Sequence, residues 1–448
     1  MRHKIWMLAT VLIMVAVLLA ACGPAATPTP TQPPAQEQPT QPPAQEQPTQ
    51  PPAAEKVTIQ VMVVDYIPDK TDKWLEEEVV PAFQKEHPNI NVEFVYVNWG
   101  TLDETVQGYF AAGGGADILN LGSEYVAEFG DRLAPLGEYF KDWPDWEQFL
   151  PGTLDTVMWE GEPRGLPWLT APRAYMCRMD ILQEVGWDRV PQTFEEMVKL
   201  AGDATIVEGG ALQRQGFTPL DDWQEYISLI WTLGGSIYKE DGSPNFDSPE
   251  ARAALQFMYD RRRAVLPNEQ TAGLPETTGA LLASDLVACQ WGNLWGAPPT
   301  GDPIWEKIEL FPGFTNPDFP QSKPVVQVFN DWLAVPAYSK HIPEAVEFLK
   351  FLGSAENLNT YNSHFGSFPP RKDAWFGYVE EDAVMKKMGE LMGQYGVGFA
   401  DIRETAQFRD VLMAEMPLYF TDVQDLDTTL QNIQEQYTQI LRDAGRLP

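Results

Sequence analysis

Cysteine is scarce in this chain. There are three in 448 residues, Cys22, Cys177 and Cys289. None stands in a Cys-x-x-Cys pair, which argues against a zinc ribbon or a thioredoxin-like redox motif. Basic residues are also few: 31 Lys and Arg against 64 Asp and Glu give a formal net charge of −33. So acidic a surface does not suit a phosphate backbone, nor is it held to anionic lipid by charge. It reads as a solubility surface. Histidine is rarer still, four in all. No His-Glu-x-x-His, Gly-x-Ser-x-Gly or Walker phosphate loop occurs, and Gly113-Gly114-Gly115 lacks the Lys-Ser/Thr that a phosphate loop requires. Asp241-Gly242 with Asp247 fits no EF-hand spacing and reads as a turn and a helix cap. The expectation is therefore no metal, no cofactor, no nucleic acid and no catalysis. A glycosidase, which needs only two carboxylates, is the best enzyme alternative.

Long apolar runs are confined to one place. After Arg2 and Lys4, an apolar stretch extends from Ile5 to Ala21 and ends in small residues before Cys22 and Gly23. A basic start, a short apolar core and a small-residue cleavage site make a secretory signal; the run is short for a membrane span and no basic stop-transfer cluster follows. Leu19-Ala20-Ala21-Cys22 resembles a bacterial lipobox, which implies that residues 1–21 are removed and Cys22 is lipidated. Two or more acyl chains hold a membrane stably where one does not. Residues 22–56 are rich in Pro, Gln and Thr, with the unit Gln-Pro-Pro-Ala-Gln-Glu-Gln-Pro-Thr starting at Gln32 and again at Gln41. They lack the apolar bulk for a core and read as a disordered, semi-stiff tether.

The remainder is globular in composition and rich in aromatics, which make up 12% of the chain and include 15 Trp. Val57–Val64 is a β-branched buried strand. Thr71–Glu86 reads as a helix kinked or divided at Pro81, with Trp74, Leu75, Val79 and Phe83 inward. Asn91–Val97 is a strand, Leu102–Ala112 a helix stopped by the glycine run, and Asp117–Leu121 a third strand. This alternation predicts a mainly parallel α/β sheet. Thr193 opens a capping box, and Ser248-Pro249 starts a helix running to about Arg263. Leu286–Gln290, Val325–Phe329 and Trp332–Val335 are strand-like, while Pro343–Leu352 and Asp422–Ala444 are helical. Cys177 and Cys289 each fall in an apolar stretch. The expectation is two buried thiols, with a disulfide as the alternative outside the cytoplasm.

The order of these pieces over residues 57–445 resembles the extracellular solute-binding proteins that include maltose-binding protein. The matching segments are Val79–Ile90, Gly115-Ala116-Asp117-Ile118, Gly165-Leu166-Pro167-Trp168 with Ala174-Tyr175-Met176, Pro191–Met197, Phe246–Ala251, Ala345–Leu352 and Gly366–Arg371. The chain departs from the family pattern at Met176-Cys177-Arg178, where Tyr-Asn-Lys is frequent, and at Asn330-Asp331, where many members carry Gly-Gly. The resemblance implies an α/β, two-lobed periplasmic-binding-protein fold (type II) with a ligand cleft between the lobes. The lobes are expected at 57–168 plus 325–375 and at 169–324 plus 376–448. It also implies a monomer that captures a carbohydrate ligand, serves the permease subunits of an ABC transporter and stays at the membrane, on the extracellular or periplasmic side, through its lipid anchor. A surface adhesin without a transporter is the alternative.

Sugars present apolar C–H faces that stack on aromatic rings and hydroxyls that take paired polar partners. Candidates at strand ends and loops are Asp65 and Tyr66 after the first strand, Trp99 after the second, and Glu124 with Tyr125 after the third. Further along come Trp223 after Asp221 and Asp222, then Trp291, Asn293 and Trp295 beyond Cys289, and Asn330 with Asp331 before a strand. Arg371 follows a Pro pair. Because the equivalent family segments line the cleft, Trp168, Trp295 and Trp332 are expected as platforms, and Trp332→Ala is expected to weaken binding with little loss of fold. Trp74, Trp187 and Trp231 read as core.

Overall fold

The computed structural model describes residues 56–267, 281–364, 366–399 and 402–448. The signal sequence, Cys22 and the Pro-rich tether lie outside the described residues. No helix among the described residues is long and apolar enough to cross a membrane.

The chain order begins with β1 (Val57–Val64), β2 (Ile90–Val97) and β3 (Ile118–Gly122), then a short hairpin of β4 (Met158–Trp159) and β5 (Glu162–Pro163). The long strand β6 (Gly165–Arg178) follows, then β7 (Ile206–Glu208), β8 (Ala211–Thr218), β9 (Val287–Gly292), β10 (Ile308–Phe311), β11 (Val326–Ala334) and β12 (Gly396–Gly398). The main sheet runs β2-β1-β3-β11-β6-β9-β8-β7, with β10 also on β6 and β12 also on β11. β1 pairs in parallel with both β2 and β3, as strand-helix alternation predicts, and β8 pairs in parallel with β9. The whole sheet is mixed, because β11 runs antiparallel to both β3 and β6. These two long strands join a β2-β1-β3 side to a β9-β8-β7 side, which gives the two-lobed α/β architecture its crossing segments.

Local chemistry explains the element boundaries. The helix Trp99–Ala112 starts earlier than its apolar pattern, because the Asn98 side chain accepts from the Thr101 amide and caps it. The segment around Pro81 is divided, as expected: two five-residue π turns, Pro68–Asp72 and Leu75–Val79, precede the α-helix Val80–Glu86, in whose first turn Pro81 is tolerated. Thr193 caps its helix through the Glu196 amide, and Ser248 caps Pro249–Val265. Trp74, Leu75, Val79 and Phe83 are buried as expected.

The thiol expectation is corrected. Cys177 and Cys289 lie opposite each other where β6 pairs with β9, and they form a disulfide. Their separation of 112 residues hid a pairing that sheet register creates.

Candidate functional site

The carboxyl ends of strands from both sides of the sheet converge on one cavity of about 270 Å³. This is where ligands sit in open α/β sheets. Its floor is the crossing pair: Ala171 and Arg173 of β6 and Phe329 and Asp331 of β11 lie on one face, since alternate strand residues share a side. Its walls come from the first turns of helices and from short 3-10 turns. Trp99 opens the helix after β2, and Glu124 and Tyr125 belong to the turn after β3. Trp223 and Gln224 open the helix Trp223–Thr232, and Asn293 caps the turn holding Trp295. Thr405 and Arg409 come from the helix Thr405–Phe420.

Two larger surface hollows, of about 410 and 670 Å³, are lined without any tryptophan. The one buried carboxylate there, Asp117, is already engaged by the Gln60 amide and the Ser339 hydroxyl.

The cavity holds two buried carboxyls. Asp331 accepts from the Tyr66 hydroxyl and, at 3.5 Å, from the Asn120 amide. Burial pushes it up to about 8, the nearby Glu124 adds to the rise, and the two hydrogen bonds oppose it. Glu124 is 8% exposed, and its Oε2 has no hydrogen-bond partner. Burial raises it to about 7, against the pull of Arg173 and Arg409. Tyr66 packs edge-on against Trp295, with centroids 5.2 Å apart, and against Trp99 at 6.5 Å. It thus packs against two of the cavity's indoles. The Arg173 guanidinium lies over the Phe329 ring at 4.3 Å and donates to the Gln224 side chain. Flat rings beside a few fixed polar groups suit an amphipathic ligand with hydroxyls on its edge. Among the described residues no group of His, Cys, Asp and Glu side chains is arranged to hold a metal ion.

Of the residues expected from sequence, Trp99, Glu124, Tyr125, Trp223, Asn293, Trp295 and Asp331 are brought to the cavity, and Tyr66 packs against two of its indoles. The others are placed elsewhere. Asp65 is exposed at the end of β1, and Trp291 is buried in β9 behind Arg173 at 5.3 Å. Asn330 points to the opposite face of β11 from Asp331 and accepts from the Thr170 hydroxyl at 2.7 Å. Three expectations are corrected by burial. Trp168 is fully buried, its ring 4.1 Å from that of Tyr361, so it offers a ligand no face. Trp332 is also fully buried, with its indole N–H bonded to the Gly122 carbonyl at 2.8 Å. Arg371 is held by Asp145, by Asp373 and by the Gly353 carbonyl, leaving its guanidinium committed to structure.

Sequence reasoning missed Arg173, Gln224, Phe329, Thr405 and Arg409. Arg173 had a signal: it is the lone charge within the apolar run Leu166–Cys177. Thr405 and Arg409 had none, because only the folded chain brings their helix to the crossing strands.

The chain is 23% identical, over 382 residues, to an uncharacterized ABC transporter extracellular-binding protein of Pyrococcus horikoshii, covering 80% of this chain and 84% of that one. Among solved structures it is similar to maltose-bound MalE3 of T. maritima, with a TM-score of 0.68, 23% identity, and coverage of 86% and 99%. It is also similar to CpMnBP1 with mannotriose bound, with a TM-score of 0.72, 17% identity, and coverage of 85% and 100%. Residues 68–359 match the family profile described as bacterial extracellular solute-binding protein. The chain belongs to that bacterial extracellular solute-binding family of ABC transporters.

Proposed function

We propose that this protein captures a sugar or oligosaccharide in the cavity between its lobes and delivers it unaltered to a membrane permease. The observation that carries the reading is the meeting of Trp99, Trp223 and Trp295 around the buried carboxyls Glu124 and Asp331. Indole faces take the C–H side of a pyranose, and carboxyls and amides take its hydroxyls. The sugars named in the titles of similar structures, maltose and mannotriose, support the same class. Lobes at 57–168 plus 325–375 and 169–324 plus 376–448 would close on the ligand, to an extent set by its differential affinity for the closed form.

The lipobox-like Leu19-Ala20-Ala21-Cys22 and the Pro-rich segment after it support a lipid-anchored protein standing off the membrane on a tether. Cys22→Ser is expected to release the protein into the medium, and retention of that variant in the membrane fraction removes the anchor from the proposal.

Thermal unfolding against a glycan panel tests the ligand class. A ligand at about 100 times its Kd adds about 2.7 kcal/mol of stability. Stabilisation by peptides or polyamines, with none by any carbohydrate, refutes the sugar reading.

A further inference from the structure

Four arginines buried elsewhere in the molecule have carboxylate partners. Arg178 pairs with Asp180 and Asp285, Arg214 with Glu184, Arg261 with Glu225, and Arg371 with Asp145 and Asp373. Arg173, partly buried at the cavity floor, differs. Among the described residues its Nη1 meets only the neutral Gln224 amide, its Nε is buried without a hydrogen-bond partner, and its Cζ lies 4.3 Å from the Phe329 ring centroid and 5.3 Å from that of Trp291. No carboxylate comes within the 4.0 Å of an ion pair with it among the described residues. Asp222 and Glu124 are near enough to favour its charge without pairing, and burial outweighs them and pulls the guanidinium below its usual range.

The carboxyls at the cavity do not pair with it. Asp331 is engaged by Tyr66 and Asn120 and, pushed up to about 8, is largely protonated at neutral pH, while Glu124, raised to about 7, carries its charge only in part there. Arg409, the second cation, is already paired with Asp410 at 3.2 Å. A desolvated cation without a counter-ion is costly, and an incoming anion offsets that cost. A planar guanidinium with open donors matches a carboxylate, which accepts two parallel N–H bonds.

We propose that the ligand is an acidic saccharide, whose uronate carboxylate pairs with Arg173 while its ring faces stack on Trp99, Trp223 and Trp295. This rests on the sugar reading above and narrows it. In the fraction of molecules where Glu124 is a carboxylic acid, it donates to a ligand oxygen rather than repelling the anion.

Calorimetric titration of the purified protein with glucuronate- and galacturonate-containing disaccharides, their methyl esters, the matching neutral hexose disaccharides and a hexosamine disaccharide tests it. The esters remove the charge at the cost of one added methyl group, and the Arg173 variants separate the two effects. An acid is expected to bind about tenfold tighter than its ester, or more, because a hydrogen bond to a charged group contributes about 1.5–3 kcal/mol. Arg173→Gln is expected to erase that difference and Arg173→Lys to keep part of it, with thermal unfolding confirming that each variant folds. The comparison of acid with ester in the unaltered protein stands even if a variant does not. Equal binding of ester and acid, tighter binding of the hexosamine, or an unchanged acid-to-ester ratio in Arg173→Gln overturns the acidic ligand while leaving the sugar reading intact. Binding of no carbohydrate at all overturns both.

Discussion

The phenol of Tyr66 donates a hydrogen bond to Oδ2 of Asp331, 265 positions away in the chain. Burial raises both groups, Tyr66 well above its usual value and Asp331 to about 8. Tyr66 therefore stays a donor, and Asp331 holds a proton in the folded state that it loses at about pH 3.9 when unfolded. The folded pKa is the higher one, so the stability linked to this proton is fully present below about pH 4 and is lost as pH rises through about 8. Urea midpoints of the wild type are expected to fall between pH 5 and pH 9, and Asp331→Asn to make that fall shallower. A variant whose midpoints decline as steeply as those of the wild type shows that the proton is not on Asp331.

Exposure sorts the tryptophans into two classes with opposite phenotypes. Trp99 is 37% exposed at the cavity, whereas Trp168 and Trp332 are fully buried. Trp99→Ala is expected to weaken saccharide binding at least about tenfold while changing stability by less than about 1 kcal/mol. Trp168→Ala and Trp332→Ala are expected to cost about 3–5 kcal/mol, and Trp332 also surrenders its bond to the Gly122 carbonyl. That reverses the outcome expected for Trp332 from sequence. Denaturant unfolding beside ligand titration separates the classes, and a stable Trp332→Ala with impaired binding returns that ring to the site.

What the sequence made legible follows from how local each signal is. β1 to β3 were read almost to the residue, because β-branched runs and the glycine run are short-range signals, although the Asn98 cap that starts the intervening helix early was missed. The crossing strands were not. Pro167 and Pro172 break the reading of β6, and the polar pair Asn330-Asp331 splits β11, where the pairing register shifts between Asp331 and Trp332. Polar residues placed within a buried strand are the exceptions to its apolar pattern, and here they include Asp331 of β11 and the partly exposed Arg173 of β6 on the cavity floor. Burial of individual Trp rings was not readable either, since it depends on contacts such as Trp168 with Tyr361 that no spacing reveals.

The Cys177–Cys289 bond closes a loop of 112 residues between neighbouring strands. Restricting the unfolded chain in this way stabilises by about 2–4 kcal/mol. Reductant is expected to lower the denaturation midpoint of the wild type and to leave that of a Cys177→Ala/Cys289→Ala variant unchanged. Titration of the unreduced, denatured protein with a thiol reagent gives the direct count: two reactive groups from this pair means that the thiols are free.

Glu225 lies two positions after Trp223 on the helix Trp223–Thr232, and it is fully buried. Both its oxygens receive the Arg261 guanidinium at 2.6 Å, and the Tyr175 hydroxyl adds a third bond at 3.0 Å. The pair fixes the start of this helix against the helix Pro249–Val265, and so fixes where Trp223 and Gln224 meet the cavity. Removing one partner leaves a buried charge uncompensated, which costs about 3–5 kcal/mol, while replacing both with apolar residues costs far less. Glu225→Leu alone is therefore expected to be strongly destabilised, and Glu225→Leu with Arg261→Met to recover much of the loss. Ligand affinity should separate the two roles of the pair. If it positions the helix, the double variant folds but binds more weakly than the wild type; if it only supports the core, affinity returns with stability. A Glu225→Leu protein as stable as the wild type contradicts the pairing itself.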